Sequence, residues 1–119
     1  MNKKILILDD EKEYLVALES FLREFNYTIF TATSSRYALE VIEKDKPDLI
    51  LFDYKLPDMD GDAFLKQVKA VYPPVPCILI TAWNEPAMLN KLKGMGTADI
   101  MIKPIDLEEL LKKIQKYIK

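Results

Sequence analysis

Five short apolar runs recur along the chain, each followed by a longer amphipathic segment, and this alternation leaves few ways to fold. The runs fall at Ile5 to Leu8, Tyr27 to Ala32, Leu49 to Phe52, Cys77 to Ala82 and Ile100 to Ile102. Most are apolar without a break, as strands covered on both faces should be. Strands alternating with helices predict repeated strand-helix units wound around a parallel sheet, a doubly wound (βα)5 architecture of the α/β class.

The segments between the runs carry helical signals. The first helix is expected after Asp10, with Leu15, Leu18, Leu22 and Phe25 on one stripe. The last should turn Leu107, Leu110, Leu111, Ile114 and Ile118 inward, with Asp106 as its cap. Ser34 or Ser35 could open the second helix, Gly61 and Asp62 the third, and Glu85-Pro86 the fourth, where proline suits a first turn. No repeat or linker divides the 119 residues, so residues 1–119 are read as one domain.

Composition narrows the chemistry. With 17 basic and 19 acidic side chains, overall charge gives no support to contact with nucleic acid or an anionic membrane. No apolar run approaches membrane-spanning length or a signal peptide, which implies a cytoplasmic protein. The single cysteine, Cys77, lies in an apolar run and reads as a buried structural thiol. The chain has no histidine, so the commonest general base and the commonest zinc ligand are both missing. Any chemistry must use carboxylates, lysine and hydroxyls.

Such groups interrupt the apolar runs at one kind of place. Asp9 and Asp10 follow the first strand, Asp53 follows the third, Thr81 ends the fourth and Lys103 follows the fifth. In an open parallel sheet the carboxyl ends of the strands converge on one rim, and ligands bind there where the strand order reverses. A surface charge would explain any one of these residues, but four equivalent positions are harder to dismiss. Three carboxylates about 5 Å apart repel by roughly 3 kcal/mol per pair at an effective dielectric constant near 20. Lys103 offsets part of that, and the remainder suits a divalent cation; an all-oxygen, partly hydrated site favours Mg2+ over calcium. A carboxylate beside such an ion can act as a nucleophile toward phosphorus.

Taken together, Leu8-Asp9-Asp10, the stretch Asp53-Tyr54-Lys55-Leu56-Pro57-Asp58-Met59-Asp60-Gly61, Thr81-Ala82 and Lys103-Pro104 resemble the receiver domains of bacterial response regulators, and the resemblance spans essentially the whole chain. It implies a flavodoxin-like sheet of order 2-1-3-4-5. It also implies a phosphorelay role, with Asp53 taking a phosphoryl group from a histidine kinase or phosphotransfer protein in a magnesium-dependent reaction. Asp10 would be a direct ligand of the ion and Asp9 would act mainly through bound water, with Asp53 and the backbone carbonyl of Lys55 completing the set. Thr81, the Ala82 N–H and Lys103 would hold the phosphoryl oxygens, and the Lys103-Pro104 bond is commonly cis in this family. Glu11 could edge the site, or simply be a solvated residue in the first helical turn.

One position departs from the family pattern, and two further residues bear on the site. The resemblance implies a switch through Thr81 and an aromatic residue three positions before Lys103, where this chain has Ile100. Ile100 is either a plain core residue or the sign of an altered switch. The resemblance implies that Lys55 and Trp83 occupy places bordering the path of attacking water, where they could set the lifetime of the phosphorylated state; an exposed tryptophan used for partner contact is the rival reading. Further partners implied are an output protein or domain and, on activation, a second copy of the chain. Such a domain would assist only its own modification, and would not be a turnover enzyme.

Other classes fit less well. An aspartate-nucleophile phosphatase needs an acid at the position of Lys55, and a flavin-binding module would not place Asp9-Asp10-Glu11 where a phosphate loop belongs. A receiver-like module that acts without phosphorylation is the remaining alternative.

Overall fold

The expected alternation is realised in the computed structural model, which describes residues 2–118. Met1 and Lys119, the ends of the span read as one unit, lie outside the described residues. The elements run β1 (Lys4–Leu8), α1 (Lys12–Arg23), β2 (Thr28–Ala32), α2 (Ser35–Asp45), β3 (Leu49–Phe52), α3 (Gly61–Val71), β4 (Cys77–Thr81), α4 (Pro86–Gly94), β5 (Asp99–Ile102) and α5 (Leu107–Tyr117). All neighbouring strands pair in parallel, in the order β2-β1-β3-β4-β5, so the doubly wound (βα)5 reading and its strand order are borne out.

Because side chains alternate along a strand, each strand feeds two cores. Ile5 and Ile7 of β1, Leu49 and Leu51 of β3, and Ile78 and Ile80 of β4 pack with Leu15, Leu18 and Leu22 of α1 and Leu110 and Ile114 of α5. The intervening residues, Leu6, Leu8, Ile50, Phe52, Cys77 and Leu79, pack with α2, α3 and Leu92 of α4. Each fully buried side chain of this size stabilises by roughly 1.5–3 kcal/mol. Cys77 lies in the second core, and burial pushes its thiol up to about 11, which suits an inert structural role.

Several element ends differ from the sequence reading. Helix α1 stops at Arg23, and Asn26 adopts a left-handed conformation with φ 67°, so Phe25 falls in the turn and is 41% exposed instead of completing the inward stripe. Leu107 is the first residue of α5, where the chain is still swinging toward the sheet, and is 38% exposed. Helix α1 follows Asp10 after one intervening residue, Glu11, which holds the cap position. Ser34 is the residue that caps α2, accepting a hydrogen bond from the Tyr37 N–H, and Asp106 caps α5. Tyr27 lies just outside β2, and β5 starts one residue earlier than expected, at Asp99.

That extra strand residue ties the edge strand to α5. The Asp99 carboxylate accepts from Lys113 Nζ at 3.1 Å, from the Ile100 N–H at 2.9 Å and from the Tyr117 hydroxyl at 3.1 Å. Burial works against the charge, but these donors outweigh it and hold the carboxyl below its ordinary value of 3.8. A lowered folded-state value contributes stability above the unfolded-state value and loses it as pH falls through the folded one. Asp99→Asn is therefore expected to cost about 1–3 kcal/mol at neutral pH. In urea melts at a series of pH values, its difference from the wild type should shrink once the pH drops below that ordinary value.

Candidate functional site

The rim formed by the carboxyl ends of the strands carries the polar residues. Asp9 extends the β1 ladder, its N–H donating to the Ala32 carbonyl at 3.1 Å, and the Asp53 N–H donates to Leu8 O at 3.1 Å. Both side chains are buried, Asp9 to 3% exposure and Asp53 to 12%. Carboxylates so deep need partners. Lys103, held by an N–H bond to the Thr81 carbonyl, reaches both of them: Nζ lies 2.8 Å from Asp9 Oδ2 and 2.9 Å from Asp53 Oδ2. The other oxygens accept backbone N–H groups, Asp9 Oδ1 from Glu11 at 3.0 Å and Asp53 Oδ1 from Tyr54 at 2.6 Å.

Burial works against both charges here, with opposite outcomes. It raises the Asp9 carboxyl above its usual value although Lys103 and the Glu11 N–H pull the other way. For Lys103 burial opposes the charge, but hydrogen bonds to Asp9 and Asp53 outweigh it and hold the ammonium above its usual value. Partners in a simple ion pair would shift in opposite directions. Asp9 moves up because one ammonium shared between two carboxylates does not offset its loss of water.

The rim is thus short of positive charge. Carboxylate oxygens of Asp9, Asp10 and Glu11 all lie within 4.8 Å of one another, and Asp10 and Glu11 are exposed. An all-oxygen acidic cluster open to water fits a hard divalent cation that keeps part of its hydration. The cluster takes in Glu11, which the sequence reading placed at the edge of the site or in solvent; its side chain is 70% exposed and lies 3.9 Å from Lys103 Nζ. Asp53 joins this group through Lys103. The Lys55 backbone bridges to Asp60, closing the loop after β3.

Thr81 is fully buried, its Oγ1 accepting the Trp83 N–H at 3.2 Å, and Ala82 is exposed beside it. The Lys103-Pro104 peptide is cis. Ile100 is half-buried and packs in the core on the α4 side, which also takes in Met88 and Leu89. Lys55, in the loop after β3, and Trp83, in the loop after β4, meet one another, with Nζ 4.7 Å from the ring centroid. The fold therefore brings Asp9, Asp53 and Lys103 into direct contact and arranges Asp10, Lys55, Thr81, Ala82 and Trp83 around them.

Three residues that support the site were given no part in it by the sequence reading. A side chain at Gly61 would place its Cβ 2.9 Å from Tyr54 Cα and 3.2 Å from the Asp53 carbonyl, so only glycine lets α3 begin against the backbone of Asp53 and Tyr54. Asp58 accepts the Ser35 and Arg36 N–H groups at 3.0 and 2.9 Å, anchoring the loop after β3 to the N-terminus of α2. Tyr14 lays its ring against Lys103, with Nζ 4.5 Å from the centroid. Gly61 was read only as opening the third helix, as it does, Asp58 stood in the quoted stretch without a role, and Tyr14 had no signal beyond its helix position.

Comparison with known proteins agrees with this arrangement. The family model described as response regulator receiver domain matches residues 5–115. Sporulation initiation phosphotransferase F of Bacillus subtilis (strain 168) is 35% identical over 99% of this chain and 95% of its own length. Transcriptional regulatory protein ZraR of Escherichia coli (strain K12) is 34% identical over 97% of this chain, which spans only 26% of that longer protein. Among solved structures, a CheY-like response regulator receiver domain protein from Methanospirillum hungatei JF-1 superposes with a TM-score of 0.94 at 29% identity, covering 98% of this chain and 93% of the other. Parallel strands in the order 2-1-3-4-5, an acidic rim crossed by one lysine and a family match over nearly the whole length lead to one assignment: the chain belongs to the response regulator receiver domains of two-component signalling.

Proposed function

We propose that this receiver takes a phosphoryl group onto Asp53, and the observation that carries the reading is the Lys103 ammonium bridging Asp9 and Asp53. A carboxylate oxygen of Asp53 attacks the phosphorus of a phosphohistidine or a small acyl phosphate. The bond from phosphorus to the donor breaks and its electron pair leaves with the donor, so the attack removes no proton from Asp53. Magnesium held by Asp9, Asp10 and Asp53, with the Lys55 carbonyl, would offset the charge on the phosphoryl oxygens. Lys103 adds a fixed positive charge beside the acceptor. Thr81 and the Ala82 N–H are placed to donate to the remaining oxygens.

The chain acts as one receiver unit whose chemistry is confined to its own phosphorylation and dephosphorylation. It works in the cytoplasm; among the described residues no helix is long and apolar enough to cross a membrane. Its donor is a histidine kinase or phosphotransfer protein. The likeness to a phosphotransferase along nearly its full length supports a relay role, in which a second protein or domain reads the phosphorylated state. Thr81 and Ile100 lie on neighbouring strands, and Ile100 packs toward α4, so a change at Thr81 would be read at α4 and β5, with dimerisation as one outcome.

The test is incubation of the chain with magnesium and acetyl phosphate, followed by intact mass. A gain of one phosphoryl group mapping to Asp53 is expected; no gain, or a gain at another residue, would overturn the proposal.

The contact between Lys55, two residues after Asp53, and Trp83, two after Thr81, joins the loops after β3 and β4 and supports a shielding role against water. Trp83→Ala is expected to shorten the lifetime of the phosphorylated state severalfold, followed by loss of the added mass after donor removal. An unchanged lifetime would leave the exposed ring to partner contact alone.

A further inference from the structure

The ammonium of Lys103 has three N–H donors on a flexible four-carbon stem. Asp9 and Asp53 take two directions, at 2.8 and 2.9 Å, and Glu11 stands 3.9 Å away as a competing, mostly exposed carboxylate. On another side stands the ring of Tyr14, its centroid 4.5 Å from Nζ. Tyr14 sits in the first turn of α1 and packs at the margin of the α1–α5 core. It also lines an open groove of about 490 Å3, together with Glu11, Ala82, Lys103, Pro104 and Ile105. The same residue borders a space of about 10 Å3 beneath Asp9 and Asp53. The ring is therefore a wall between the underside of the acceptor site and the groove outside it.

We propose that Tyr14 is a positioning residue for phosphoryl transfer: the face of its ring holds the Lys103 ammonium between Asp9 and Asp53, and its hydroxyl takes no part. The hydroxyl is buried and hydrogen-bonds to no described residue, so it contributes nothing that a phenylalanine would lack. Burial pushes it up to about 12, so the ring stays neutral and keeps its attraction for a cation throughout the working pH range. Without the ring, the ammonium is free to drift toward Glu11 and away from the acceptor. A purely structural Tyr14 would matter for stability but not for the phosphorylation rate of folded molecules.

The proposal rests on Asp53 being the acceptor, and the experiment separates the two. Full-length wild type, Tyr14→Phe and Tyr14→Leu are compared for the rate of mass gain from acetyl phosphate at saturating magnesium, after circular dichroism has established the folded fraction. Tyr14→Phe should match the wild type within about twofold, and Tyr14→Leu should be roughly three- to thirtyfold slower, the span of a cation–ring contact. Absence of uptake by the wild type would defeat the acceptor reading, and this proposal with it. Normal uptake by the wild type and an unslowed Tyr14→Leu would defeat the Tyr14 proposal alone, as would a Phe variant as slow as the Leu variant. A spectroscopic signature stands apart from turnover and from the folding of the Leu variant: the Lys103 ε-methylene protons should be shifted upfield by the ring current in wild type and Tyr14→Phe alike. An ordinary lysine shift in the folded wild type would overturn the proposal.

Discussion

Asp53→Asn is expected to take up no phosphoryl group from acetyl phosphate while its fold stays intact. The amide keeps the shape of the side chain, and its oxygen can still accept the Tyr54 N–H that Asp53 Oδ1 accepts at 2.6 Å. What it loses is the carboxylate oxygen that, on the proposed reading, would attack phosphorus, and an amide is no substitute as a nucleophile. Lys103 retains Asp9 as a partner, and the repulsion between two buried carboxylates is relieved, so thermal unfolding should stay within a few degrees of the wild type. Intact mass reads the first outcome and a thermal melt the second. A variant that still gains a phosphoryl group would move the acceptor elsewhere on the rim, and one that unfolds would mean the carboxylate is needed for folding.

Lys103→Met is expected to damage both chemistry and stability. Removing a fixed donor aimed at developing charge typically slows a reaction by about 100- to 1000-fold, and mass gain from acetyl phosphate should fall in that range. In the absence of magnesium the same change leaves Asp9 and Asp53 buried without a cation. Breaking a buried pair by removing one partner costs roughly 3–5 kcal/mol. Lys103 is 15% exposed at its side chain, so little of this is screened by water. Urea melts with and without magnesium test the point, because added cation should recover more stability in the variant than in the wild type. Equal stability of the two proteins without magnesium would show that Lys103 does not offset carboxylate repulsion.

The doubly wound sheet was legible because its signals are local. Continuous apolar runs such as Leu49 to Phe52 and Cys77 to Ile80 announce strands covered on both faces, and the inward stripe of Leu15, Leu18 and Leu22 announces a helix with one buried side. The polar residues at strand ends were legible for the same reason, since topology alone brings Asp9, Asp53 and Lys103 to one rim. Phe25 and Leu107 were misread because periodicity does not say where a helix starts or stops; a left-handed Asn26 ends the first turn sequence, and Leu107 opens α5 before it meets the sheet. Contacts between elements were less accessible still. The pairings of Lys55 with Trp83 and of Lys103 with Tyr14 depend on distances that no single segment encodes. The need for glycine at position 61 arises only once α3 is laid against the backbone after β3.

The two loops flanking Asp53 are unequally stiff. On the α2 side, the Asp58 carboxylate clamps two N–H groups of that helix while the Gly61 N–H closes back on Tyr54 O at 2.6 Å, so the loop is pinned at both ends. On the α4 side, residues 82–87 are all exposed, and the Trp83 N–H is tied only to the hydroxyl of Thr81. A push delivered at the acceptor will therefore be absorbed by the compliant side. If Thr81 donates its hydroxyl to a phosphoryl oxygen, as proposed, its lone pairs remain able to accept the Trp83 N–H, so a rotation of Thr81 would pull on Trp83 and the start of α4.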